Sequence, residues 1–149
     1  MNRFVILISV MLLAGCEANV HEHADVAWLQ APGAENLDLP FSSAVRVDSL
    51  LFLSGQIAYD AEAGALVEGG IQAETRKTLE NIAQTLQDSG SSMDRVVKCT
   101  VFLADISEWA AMNEVYVTFF PNKPARSALG ANGLALDARV EIECIAVVD

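Results

Sequence analysis

The sequence predicts an α+β fold: one mixed sheet of about six strands with two helices on a single face. Three patterns lead there. Ala138 to Val148 alternates strictly, with Val140, Ile142, Cys144, Ala146 and Val148 on one side and Glu141, Glu143, Ile145 and Val147 on the other. Ile71, Thr75, Leu79, Ile82 and Leu86 recur at helical spacing with charges between them. Trp109, Met112, Tyr116 and Phe119 form a second helical stripe, stopped by Pro121.

The remaining elements follow in chain order. Pro40-Phe41-Ser42 opens the ordered part. Ala44–Val47 and Leu50–Ser54 are short strands around Asp48-Ser49, a hairpin-like turn, and Gly55-Gln56-Ile57 continues the second. Residues 60–70 form a loop with three glycines. Gly90 fits the position just past the end of the first helix. Val96–Leu103 is a β-rich run, and Asp105 or Ser107 caps the second helix. Arg126–Gly130 is short and extended, and 131–137 is a loop before the last strand. The order ββ, helix, β, helix, β, β layers both helices on one sheet face. The other face carries Ile145 and Val147, so a homo-oligomer that buries it is expected.

The 149 residues hold one domain with a real core, and 52% of them are hydrophobic. Residues 1–15 read as a secretory leader. Asn2 and Arg3 precede an apolar run, Phe4–Leu13, too short to span a bilayer. Leu13-Ala14-Gly15-Cys16 then resembles a bacterial lipobox. That resemblance implies a lipidated Cys16 as the mature N-terminus and an envelope protein facing the periplasm, and Glu17 leans toward the outer membrane. Residues 16–36 read as the lipidated start and a tether, and 37–149 as the domain.

Without Arg3, eight basic residues face twenty acidic ones, a formal charge of −12. Such a chain repels nucleic acid and gains nothing from anionic lipid, so membrane attachment falls to the lipid anchor. His21 and His23 are the only histidines, and both lie in the tether. A histidine-based triad in the domain is thereby excluded, and neither a metal nor a cofactor is called for. Cys99 and Cys144 sit in strand-like apolar runs and read as two buried small hydrophobes. A disulfide needs Cα atoms within about 7 Å, which sequence does not supply.

Two groups stand out chemically. Arg126, in Pro124-Ala125-Arg126-Ser127, offers a permanent planar fork suited to a carboxylate. Glu141, in Val140-Glu141-Ile142-Glu143, is an acid in an otherwise apolar strand. They read as a cation and an acid on neighbouring strands, fit to hold a small carboxylate and a water.

These two segments resemble the C-terminal signature of the RidA family (YjgF, also called L-PSP endoribonuclease-like). Ser54-Gly55-Gln56-Ile57, the run Val97–Leu103 and Asn113–Phe120 resemble further landmarks of that family, in the right order. The likeness covers residue 38 or so to the end. It implies a chorismate mutase-like fold, a homotrimer with clefts between subunits, no cofactor, and hydrolysis of reactive enamines and imines, such as 2-aminoacrylate, to 2-oxo acids and ammonia. It implies that Arg126 binds the substrate carboxylate, that Glu141 positions the attacking water, and that Ser54, Asn113 and Phe41 line the pocket. Two positions depart from the family pattern: Phe41 stands where many members have tyrosine, and Ala128 where many have cysteine. The alternatives are a non-catalytic module for small carboxylates and a chaperone-like or scaffolding trimer on the membrane. The −12 charge argues against ribonuclease action.

Overall fold

The computed structural model describes residues 23–34 and 38–148. The leader, Cys16 and His21 lie outside them. The architecture is the expected α+β one: a mixed six-stranded sheet with two helices on one face.

In chain order the strands are β1 (Val26–Leu29), β2 (Ala44–Val47), β3 (Leu50–Leu53), β4 (Tyr59–Asp60), β5 (Ala65–Leu66), β6 (Val96–Leu103), β7 (Ala125–Gly130) and β8 (Val140–Val147). The helices are α1 (Gly70–Asp88) and α2 (Trp109–Phe119). The sheet runs β1-β2-β3-β8-β6-β7, and β4 pairs with β5 in a separate ribbon within the glycine-bearing loop. All ladder pairs are antiparallel except β6 with β7, which α2 connects as a crossover.

Local chemistry accounts for the elements. Asp48 turns the β2–β3 hairpin with φ 51°, a conformation Asp tolerates, and its carboxylate accepts from the Asp25 N–H. Gly90 follows α1 with φ 79°, as its sequence position suggests. Neither Asp105 nor Ser107 caps α2 itself: the Asp105 carboxylate accepts the Ser107 N–H of a short 3₁₀ turn, Ile106–Glu108, that leads into the helix.

The core lies between the helices and one sheet face. Leu79, Ile82 and Leu86 of α1 and Met112 of α2 meet Leu51, Val101, Val140 and Ile142, all fully buried. Each such side chain contributes about 1.5–3 kcal/mol by leaving water. The opposite face is uncovered in the single chain. Register places Trp28, Val45, Phe52 and Ile145 in one row across it. Trp28 is 72% exposed there.

Two readings are corrected. The segment taken as tether contains β1, which pairs along its length with β2, so the sheet begins at Val26. Cys99 and Cys144 are not two separate apolar residues. They face each other across β6 and β8 with Cα atoms 4.1 Å apart and are joined in a disulfide. It lies buried on the helix-covered face.

Candidate active site

Arg126 is the centre of the site. It sits on β7, the sheet edge, in register with Cys99, so it shares the helix-covered face with the disulfide. Its side chain runs under α2. Its Nη1 donates to Asn113 Oδ1 at 2.7 Å. Its guanidinium lies 4.5 Å from the Tyr116 ring centroid and 5.4 Å from that of Trp109. Asn113, Tyr116 and Trp109 are four or three residues apart along the helix, so one α2 face supplies all three contacts. An amide acceptor and two aromatic rings hold the cation without neutralising it.

A cleft of about 260 Å³ opens beside it, lined by Asn113, Tyr116, Val117, Phe120, Lys123, Pro124 and Arg126. No carboxylate lines it. Burial pushes the Tyr116 hydroxyl up to about 12, against a smaller opposing effect of Arg126, so the phenol stays neutral. That hydroxyl makes no hydrogen bond among the described residues.

Glu141 is elsewhere. It lies on the open sheet face, in register with Phe102. Burial, and then the nearby Glu143, raise its carboxyl above the ordinary glutamate value. It packs against Gly55: a Cβ there would fall on Glu141 Oε1. The following residue, Gln56, bridges to Ile142 in both directions at 2.9 Å, fixing this approach. Glycine at 55 is what leaves the carboxylate room.

Arg126 and Glu141 are therefore not on neighbouring strands, as the sequence suggested. β6 lies between β7 and β8. Arg126 is in register, through Cys99, with Cys144, three residues along β8 from Glu141. Two strand spacings and three residue rises put their Cα atoms about 14 Å apart. The side chains also leave opposite faces. Within one chain they do not share a ligand.

Of the sequence-derived pocket residues, Asn113 and Arg126 meet in the cleft. Ser54 and Phe41 are not in its lining. The Ser54 hydroxyl donates to the Ser42 carbonyl at 2.6 Å, and Phe41 is 53% exposed with its carbonyl accepting from Gln30. Ser54 instead precedes Gly55 on the Glu141 side. The sequence reading missed Tyr116, Trp109, Lys123 and Gly55. The first two stood in the stripe taken as core: Met112 and Tyr116 are buried, but Trp109 is 40% exposed and serves as a wall for Arg126.

Fold and site together define a small α+β domain with an arginine-centred cleft that no carboxylate lines. Residues 30–148 match the model of the family described as Endoribonuclease L-PSP, and the chain belongs to that family. It is 42% identical over 123 residues to 2-iminobutanoate/2-iminopropanoate deaminase of Mus musculus, covering 82% of this chain and 89% of that one. Among solved structures it resembles E. coli TdcF with bound serine, with TM-score 0.72, 35% identity, and 80% of this chain and 94% of that chain covered. It also resembles yeast Mmf1, with TM-score 0.73, 34% identity, and 84% and 100% covered.

Proposed function

We propose that this protein hydrolyses reactive 2-imino acids to 2-oxo acids and ammonia in the cell envelope, in clefts completed by a second copy of the chain within a homotrimer. The class, a deaminase acting on C–N bonds, follows the relatives bearing that name. The observation that carries it in this chain is Arg126: a guanidinium braced by Asn113, Tyr116 and Trp109 in a cleft without acids. A substrate carboxylate is the partner such a cation lacks. The serine bound to TdcF is a small carboxylate of the same kind.

An imine carbon is already electrophilic, so orientation is the main task. Arg126 holds the carboxylate. Glu141 of a neighbouring copy holds the water, and burial, which raises its pKa, makes its carboxylate a better proton acceptor than an ordinary glutamate. The separation of the two groups in one chain supports the shared cleft. The apolar row Trp28, Val45, Phe52 and Ile145 supports burial of the open face by other copies.

Two features support the envelope. The Leu13-Ala14-Gly15-Cys16 segment reads as a lipidation signal, placing the domain in the periplasm on an acylated Cys16. The Cys99–Cys144 disulfide suits an oxidising compartment.

The test is decay of 2-iminopropanoate generated by an amino-acid oxidase. The wild type is expected to accelerate it and Arg126→Ala to lose most of that acceleration. Equal decay with wild type, Arg126→Ala and buffer refutes the enzyme. Fractionation of cells carrying wild type or Cys16→Ser tests the anchor: only the wild type is expected in the membrane fraction.

A further inference from the structure

The cleft contains a second cation that recognition of one carboxylate leaves unused. Lys123 lines it together with Arg126. In a chain of charge −11, two basic residues and no acid line this one cavity. Glu114, the acid within α2, is turned away and accepts a hydrogen bond from Gln72 of α1 at 2.7 Å. Lys123 makes no ion pair among the described residues.

The backbone that carries it is braced, while its side chain is exposed and free to meet a ligand. Pro121 and Pro124 flank the short loop. The Asn122 side chain donates to the Asp94 carbonyl at 3.1 Å, and the Lys123 N–H donates to the Phe120 carbonyl at 3.2 Å. Lys123 adopts φ 51°, a left-handed conformation uncommon for a residue with a side chain and further disfavoured before proline.

Resting on the deaminase reading above, we propose that the site's substrate class is a 2-imino dicarboxylate, the imine of an acidic amino acid. Arg126 takes the carboxylate next to the imine carbon, and Lys123 takes the distal one. Such a ligand is small enough for about 260 Å³. It brings two negative charges to a site whose surroundings are acidic but whose lining is not, so the two cations select it over ligands with a single charge. The reaction is balanced without a co-reactant. Water oxygen bonds to the imine carbon, the C–N bond breaks with its electron pair going to nitrogen, and ammonia leaves a 2-oxo dicarboxylate with no change of oxidation state.

The experiment uses the full chain in detergent. Values of kcat/KM are compared for 2-iminoglutarate and 2-iminobutanoate, both generated in situ by oxidases. The wild type is expected to favour the dicarboxylate by about tenfold, the scale of one charge-assisted contact at a partly solvated site. Lys123→Met should bring that ratio to about one, Lys123→Arg should retain it, and Lys123→Glu should invert it. No preference in the wild type, or equal losses on both substrates in Lys123→Met, overturns the assignment while leaving the deaminase intact. If neither imine is hydrolysed, the deaminase reading fails and binding decides the assignment. A larger thermal shift with 2-oxoglutarate than with 2-oxobutanoate, lost in Lys123→Met, then upholds the second carboxylate site, and equal shifts refute it.

Discussion

The two faces of the sheet divide the chemistry between them. The covered face holds a cation on an edge strand, clamped by a helix and backed by a disulfide. The open face holds an acid on an inner strand, pressed against Gly55, in register with Phe102 and near a second acid, Glu143. One is complete in a single chain and the other is not. The difference teaches that the two chemical outliers are kept apart on opposite faces of the sheet in one chain, so the proposed reaction needs a second copy to bring them together.

The largest effect belongs to the covered face. The disulfide closes a separation of 45 residues between β6 and β8, and its cysteines continue the row that starts at Arg126. On loop entropy its loss costs about 4 kcal/mol. Replacing both cysteines by alanine should therefore lower the denaturation midpoint strongly, and reductant should do the same to the wild type alone. Urea melts with and without reductant check this. Coinciding curves would mean the face is held by packing only.

Arg126→Ala comes next. Removing the carboxylate's partner should lower kcat/KM by about a hundredfold or more. Asn113→Ala, which frees the guanidinium on one side, should give a smaller loss. Steady-state kinetics on one imine compares the two, and equal losses would show that Asn113 does more than orient Arg126.

Gly55→Ala probes the open face. The new methyl displaces the Glu141 carboxylate, the mobile end of a side chain, so activity should drop about tenfold or more while the melting temperature changes little. An unchanged rate would remove Glu141 from the reaction.

The smallest effect is in pH. The folded state raises the Glu141 pKa, so it binds that proton more tightly than the unfolded chain does. Its contribution to stability is present in full below the ordinary glutamate value and is lost as pH rises through the raised one. Activity that needs the carboxylate runs the other way, rising with pH over that window. Glu141→Gln should flatten the stability slope, and the residual activity of the variant should lack the acidic limb. A rate profile with the same limb in Glu141→Gln would assign it to another group.

Much of this was legible in the chain because burial leaves a period. The alternation through Val140–Val147 and the stripe Ile71–Leu86 read directly as strand and helix. So did the arginine and the embedded acid as chemical outliers. β1 did not, because four residues on an edge strand, half exposed, carry too short a pattern amid polar neighbours. The disulfide depended on the β6–β8 register, which no local pattern encodes. The faces of Arg126 and Glu141 depended on strand order: inserting β6 between β7 and β8 separates two segments that the sequence places close together. Lys123 was hidden by looking like an ordinary loop lysine, since only its backbone and its cleft distinguish it.

The division between faces makes a direct demand on mixtures. Arg126→Ala and Glu141→Ala are each expected to be inactive as homo-oligomers. When the two are unfolded together and refolded at equal amounts, a site that takes Arg126 from one copy and Glu141 from the next is intact wherever unlike chains adjoin in the right order. Random assembly in a ring makes that about one site in four, so the mixture should regain about a quarter of the wild-type rate. A mixture as inactive as its parents would contradict the shared site.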